Sequence, residues 1–333
     1  MKKMLNNVDN AVDEMIDGFI RSRPNHVKRW AGNPRVVVRH TPKAPGKVGL
    51  VIGNGSGHEP IAVGWVGEGM LDANAVGDIF AAPPPELVCD AIRAADGGAG
   101  VLLLISNHAG DVMNGEAGAD LAREAGSEVE TLWMYDDIST GPRDQLDRRR
   151  GGPGTTFIYK IVGARAEQGA GLQELKALGE SVRDVTCTLA ASLTPGVSPL
   201  TGLPMFTLPE NEVFVGMGVH GEPGMASLPA GSADEIVDFM AGKILDDLPF
   251  RQGDQVLAMV NGMGGTTLME LFIVFRKFAQ CLDERGVQLA ADPLVGTYVT
   301  TQEMGGFSLS LCKADQTMVS LWNQPQNAPF FQL

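Results

Sequence analysis

Two histidines sit in closely matching glycine settings at the ends of apolar runs: His58 in "LVIGNGSGHEPIAVG" (50–64) and His220 in "VFVGMGVHGEPG" (213–224). The chain has only five histidines, so the repetition asks for a chemical reason. A neutral imidazole can act as a general base near pH 7, or as a nucleophile toward a carbonyl carbon. Glycines beside it let backbone N–H groups come close to a ligand oxygen. A third segment, "ISNHAGDVMN" (105–114), adds His108 and Asp111. Asp111 follows Gly110 where a helix is expected to begin, a place for a helix cap or a proton acceptor. His108 reads equally as ligand contact, catalytic group or polar turn residue. A single histidine is ordinarily a ring hydrogen-bonded to backbone. Two in matching loops, with an Asp on a third, favour a composite site. A metal held by His58, His220 and Asp111 is the competing chemistry, but no HxH or HExxH spacing supports it, and no bound metal is expected.

The same glycines imitate a nucleotide fingerprint without being one. Gly53, Gly55 and Gly57 give GxGxG rather than GxGxxG, and the turn Gly262-Met263-Gly264-Gly265 lacks the Lys-Ser/Thr of a phosphate-binding loop.

Loops of this kind must be placed by strands. After an amphipathic helix whose apolar residues run from Val8 to Ile20, strands are expected at 35–39, 47–53, 99–107 and 129–135, with helices at 85–96 and 112–126. The segment 136–156 is a long charged connection. Two helical stretches follow, the second running through "LQELKALGESVRDVTCTLAAS" (172–192), and a Pro/Gly cluster, "LTPGVSPLTGLP" (193–204), approaches a second domain. Strand, helix, strand and helix then recur at 212–220, 233–248, 255–262 and 266–286, with strands near 287–296 and 306–314. This alternation predicts an α/β fold of two domains, each a mainly parallel or mixed sheet covered by helices. Residues 1–190 form the first domain and 191–333 the second. All three candidate loops fall at carboxyl ends of strands, where open α/β sheets bind ligands. Pro60 predicts that a helix starts just after His58 and Glu59.

With 333 residues, 44% hydrophobic and 20% charged, the chain is long enough for two cores. Its net charge of −14 speaks against nucleic acid or an anionic membrane as partner and is indifferent to a neutral small molecule. No apolar run approaches a membrane span, and "MKKMLNNVDNAVDEM" lacks the apolar core of a secretory signal. Cys89, Cys187, Cys281 and Cys312 form no CxxC pair, so reduced thiols in a cytoplasmic protein are expected.

Six segments, in order, carry a family resemblance: "GNGSGHEP" with "GDIFAAPPP" downstream, "NHAGDVMN", "RRRGGPGTTFIYKIVGARAEQG", "LPENEVFVGMGVHGEPG", "VNGMGGTTLMEL" and "MGGFSLSLCKAD". Together they resemble the dihydroxyacetone kinase family, specifically its ketose-binding K subunit, over nearly the whole chain. The resemblance implies a homodimer that holds a short ketose as a covalent hemiaminal on His220. It implies acid/base work for His58 and Asp111, and sugar contacts from Gly55, Ser56, Gly57, His58, Ser106, His108 and Asp111. It further implies that this chain binds no nucleotide: a separate helical L subunit holds ATP, or an ADP relay, with magnesium. The basic run Arg148-Arg149-Arg150 then has two readings, a receiver for that partner or a solvated loop.

Departures from the family pattern bear on the substrate. Ser106 stands where a lysine is common, Ala82 where a serine is, His108 where a tyrosine is and Gly115 where a phenylalanine is. Ser106, Ala82 and Gly115 are smaller. The expectation is a substrate larger than dihydroxyacetone, an erythrulose-like tetrulose or a branched pentulose such as apulose, with His108 replacing a lost hydrogen bond. The alternative reading is a non-catalytic ketose sensor that acts through a protein partner.

Overall fold

A computed structural model of the protein describes residues 2–218, 221, 222 and 224–331. His220 lies outside the described residues. The chain runs α1 (Ala11–Ser22), β1 (Val27–Trp30), β2 (Asn33–Arg39), β3 (Gly49–Ser56), β4 (Ala73–Ile79), α2 (Pro85–Ala95), β5 (Val101–Ser106), α3 (Ala109–Glu124), β6 (Val129–Met134), α4 (Thr155–Glu167) and α5 (Leu172–Asp184). It continues β7 (Thr186–Thr194), β8 (Glu212–Val215), β9 (Ala226–Pro229), α6 (Ala233–Asp247), β10 (Gln255–Gly262), α7 (Leu268–Arg285), β11 (Gln288–Leu289), β12 (Leu294–Gly296), β13 (Gly305–Lys313) and α8 (Gln316–Trp322).

Two compact units result, interleaved in sequence. One comprises Lys2–Met134, Ile158–Ser181 and the chain from Ser320 on; the other comprises Tyr135–Phe157 and Val182–Val319. A cut between 190 and 191 would fall inside β7. The α/β class holds in both units, but the sheets differ.

In the first unit the order is β1-β2-β4-β3-β5-β6. Strands β4, β3, β5 and β6 are parallel, while β2 and β1 add antiparallel at one edge. Parallel strands need both faces covered, and the burial follows that rule. Val51, Leu103 and Ile105 pack in one core cluster with Leu87, Val88 and Ile92 of α2 and Ala119 and Ala122 of α3. Their neighbours Leu50, Ile52, Leu102 and Leu104, which face the other way by the strand's period of two, are as fully buried.

In the second unit the sheet is mixed, as one of the two expected forms, with antiparallel pairs in the majority. Its order is β11-β10-β13-β7-β8-β9, and only the short β11 and β12 pair in parallel, both with β10. All other pairings are antiparallel, because β13 returns directly beside β10 and β7 lies against β13. Helix α5 also ends at Asp184, not near 192: "TCTLAAS" is β7, with Cys187, Leu189 and Ala191 in the core cluster of α6 and α7. The intervening Thr186, Thr188 and Ser192 are buried on the opposite face, where the Thr188 and Ser310 hydroxyls meet at 2.7 Å.

Two helices of this unit start where sequence chemistry dictates. Ser232 with Glu235, and Thr267 with Glu270, form reciprocal capping boxes at α6 and α7. Gly286 ends α7 with φ 71°, the left-handed cap that glycine adopts without steric cost.

Candidate functional site

The strand order creates the crevice. From β3 the chain crosses to β4 on one side and then returns to β5 on the other, so the loops leaving β3 and β5 diverge at a topological switch point. His58 lies in the first of these loops, Ser106 ends β5, and His108 and Asp111 open α3. Five of the expected site residues, Ser56, His58, Ser106, His108 and Asp111, thus share one end of one sheet. Among them His58, Ser106, His108 and Asp111 are half-buried, while Ser56 is buried.

The β3 loop is held from below. Ser56 Oγ donates to the Gly77 carbonyl at 2.7 Å, which spends its proton and leaves only its lone pairs for a ligand. Gly57 has φ +99°, and its N–H is 3.1 Å from each carboxylate oxygen of Glu59. Burial pushes the Glu59 carboxyl up, against the pull of backbone N–H groups of Glu59 and Gly57. The Phe80 ring lies 5.2 Å from the His58 ring at an interplanar angle of 51°. The expected helix after Pro60 is absent; turns lead to a short 3₁₀ segment, Val63–Trp65, because the chain must come straight back to β4.

The glycines answer to close packing. A Cβ on Gly53 would lie 2.9 Å from Pro83 Cγ, and one on Gly55 would lie 2.8 Å from the Ala81 nitrogen. The turn after β4 therefore fits against β3 only because those side chains are missing. That turn also reaches α3: Asn114 Nδ2 donates to the Pro83 carbonyl at 3.0 Å, and Gly110 faces Ala82.

On α3 the N-cap is His108, extended at φ −120° and ψ 143°, with no capping bond from its side chain. Its N–H donates to the Ser106 carbonyl at 2.7 Å, and its carbonyl accepts from Val112 at 2.9 Å. Asp111 is in the first helical turn, not at the cap, where the helix dipole favours a carboxylate. Gly115 does not open space. A Cβ there would come within 2.9 Å of Ile105 Cδ1, and the void bounded by Gly53, Asp111, Asn114 and Gly115 is about 10 Å³, room for a single water. The glycine instead lets α3 sit down on β5.

In the other unit, the loop after β8 carries the second glycine run. Gly216 donates to the Ala190 carbonyl at 2.7 Å, and Gly218 to the Glu222 carbonyl at 3.1 Å. The loop is fastened by residues that sequence reasoning left out of the site. Arg150 Nη2 donates to the Gly216 carbonyl and to Asp137 Oδ2, both at 2.8 Å, and Ser139 Oγ reaches the same carbonyl at 2.9 Å. A side chain at Gly218 would collide with the Arg150 guanidinium and the Glu222 carboxylate. Arg149 is 1% exposed and pairs with Asp247, Nη1 to Oδ2 at 2.9 Å. Of the basic run, only Arg148 is exposed. The run is not a solvated loop throughout: Arg149 and Arg150 are held in ion pairs with Asp247 and Asp137.

Among the described residues, no three of His, Cys, Asp and Glu are grouped to hold a metal ion, and no helix is long and apolar enough to cross a membrane. The four cysteines are unpaired, three of them buried.

A family model described as the Dak1 domain matches residues 17–330. The chain is 43% identical over 326 residues to the PTS-dependent dihydroxyacetone kinase 1, dihydroxyacetone-binding subunit DhaK, of Listeria innocua, covering 98% of each chain. It is 36% identical over 337 residues to the L-erythrulose kinase of Pectobacterium atrosepticum, covering all of this chain and 56% of that protein. Among solved structures, the dihydroxyacetone kinase operon co-activator Dha-DhaQ superposes with a TM-score of 0.88 at 31% identity, covering 95% of this chain and 97% of that one.

Proposed function

The chain belongs to the dihydroxyacetone kinase family, through its Dak1 domain, and on that premise we propose that it is the ketose-binding subunit of a two-component kinase. What supports the reading is that His58, His108 and Asp111 lie in loops at one end of the first unit's sheet, on either side of its switch point.

The chemistry proceeds in two parts. An imidazole nitrogen of His220 adds to the ketose carbonyl carbon, and the ring N–H proton passes to the carbonyl oxygen, giving a hemiaminal with no loss of water. A glycerol-like alcohol, having no carbonyl, is refused. The tether then fixes one hydroxyl against His58 and Asp111. One of them takes the hydroxyl proton as the oxygen attacks a phosphoryl group. Holding the acceptor covalently makes the transfer effectively intramolecular, an advantage on the order of several kcal/mol. The nucleotide, ATP or an ADP recharged in place, and magnesium belong to a separate helical L subunit. This chain's part is to bind, orient and deprotonate. We place it in the cytoplasm as a homodimer.

For the substrate, Ser106 and Ala82 still favour a ketose with room beyond three carbons. Gly115 no longer supports that choice. A tetrulose such as erythrulose fits the remaining change better than a branched pentulose. The similarity to an operon co-activator motivates a second reading, a ketose sensor without catalysis. The experiment is reconstitution with an L subunit and nucleotide across dihydroxyacetone, erythrulose and apulose. Phosphorylated ketose that disappears with Asp111→Asn supports the kinase; ketose binding with no turnover for any member supports the sensor and refutes the kinase.

A further inference from the structure

At the opposite end of the first unit's sheet lies a cavity of about 270 Å³, bounded by β1, β2, the approach to β3 and the end of α2. It is some eight residues of β3, roughly 25 Å, from the His58 loop. Its wall carries four cations, Lys28, Arg39, Lys43 and Lys47, against two carboxylates, Asp72 and Asp96. The lining is therefore net +2, and Glu167 behind it lowers the neighbourhood to +1, in a chain whose net charge is −14.

The ion pairs leave some of these donors unspent. Asp72 is saturated: Oδ1 accepts from Arg39 at 2.8 Å, and Oδ2 from Lys43 at 2.6 Å and the Leu50 N–H at 2.8 Å. Glu167 takes a second bond from the same Arg39 Nη1 at 2.5 Å. Both acids thus bind one nitrogen of Arg39, and among the described residues its Nε and Nη2 meet no acceptor, with the side chain 8% exposed. Lys47 Nζ donates to the Glu167 carbonyl at 2.5 Å and stands 3.8 Å from its carboxylate. Lys28 is exposed at the rim of the cavity. Of these cations Arg39 is the buried one, and a buried guanidinium with donors to spare is favoured by an anion that meets them.

We infer that this cavity binds a small phosphate monoester with a short carbon chain. A phosphate monoester carries close to two negative charges at neutral pH and three acceptor oxygens, which matches the surplus charge and the unspent donors better than a carboxylate does. Trp30, Pro42 and Ala94 supply an apolar wall for the carbon chain. The volume suits a metabolite of a few carbons, below the usual range for larger cofactors.

The test uses the full chain and glycerol 3-phosphate, which has no carbonyl to add to a histidine. Titration calorimetry at low salt is expected to give one site per chain. The Lys28→Gln/Lys47→Gln double variant, checked for native circular dichroism, is expected to weaken binding about tenfold or more, by loss of two charges near the phosphate. Ligand-dependent quenching of tryptophan fluorescence should vanish in Trp30→Phe, while His58→Asn and His220→Ala should leave the affinity unchanged. No binding, unchanged affinity in the double variant, or loss in the histidine variants would overturn the assignment. Equal affinity for glycerate would overturn the choice of phosphate, and equal affinity for inorganic phosphate would overturn the role of the Trp30 wall.

Discussion

Substituting Gly57 by Ala separates two costs that the structure lets us weigh. Gly57 has φ +99°, and a Cβ there would lie 2.6 Å from Phe80 Cε1. Gly126, after α3, has almost the same φ, +98°, and no heavy atom within 4 Å of its missing Cβ. Both substitutions place an L side chain in a left-handed conformation, costing about 1–2 kcal/mol. Only Gly57→Ala adds a collision with a packed ring, about 1–3 kcal/mol more. Urea unfolding should therefore show Gly126→Ala losing about 1–2 kcal/mol and Gly57→Ala about 2–5 kcal/mol. The difference should also appear in function, because Phe80 moved aside carries away a contact of the His58 ring at 5.2 Å. A displacement of about 1 Å at such a group costs on the order of a hundredfold in turnover. Gly126→Ala should turn over normally. Equal stability losses, or normal turnover in Gly57→Ala, would refute the claim that the glycine exists to seat Phe80 against His58.

Further expectations concern the segment 136–154 and the loop after β3. Arg149→Ala strips one partner from a buried ion pair and should cost about 3–5 kcal/mol, whereas Arg148→Ala, at an exposed position, should stay within about 0.5 kcal/mol; chemical denaturation compares them. Asp136 is buried, and desolvation pushes its carboxyl up to about 6 against hydrogen bonds from Thr188, Gly152 and Gly154. A carboxyl with a raised native pKa stabilises the fold below its unfolded pKa of 3.8, and that stabilisation is lost as pH climbs through about 6. The stability of wild type relative to Asp136→Asn should therefore fall by about 2 kcal/mol between pH 4 and 6, out of roughly 3 kcal/mol over the whole titration, and a flat difference would contradict the burial argument. Ser56→Ala leaves the buried Gly77 carbonyl without its donor and should cost about 1–3 kcal/mol in thermal or urea unfolding.

How far the sequence disclosed this molecule depended on whether the signal was local. The runs that became β3, β5 and β10 are apolar and bounded by glycine, so their strands and loops were readable, and with them the placing of His58, His108 and Asp111. Strand β4, "ANAVGDI", scatters Val76 and Ile79 among small and polar residues and has no apolar run to mark it. The β7 segment suits a helix as well, since Leu189 and Ala191 are good helix formers, and what marks it as a strand is the alternation of Thr186, Thr188 and Ser192 with Cys187, Leu189 and Ala191. Pairing direction in the second sheet has no local code at all. The same limit applies to the site. Gly53 and Gly55 look like ligand-approach glycines until Pro83 and Ala81, from beyond the next strand, are seen beside them. Arg149 and Arg150 look like surface charge until Asp247 and Asp137 are found as partners.

The central claim is the covalent ketose on His220. Intact-mass spectrometry of the chain incubated with erythrulose, and in parallel with dihydroxyacetone, measures it directly. The account predicts a gain of the whole ketose mass without loss of water, one per chain, absent with glycerol and absent in His220→Ala. No adduct in the wild-type chain, or an adduct that survives in His220→Ala, would contradict it.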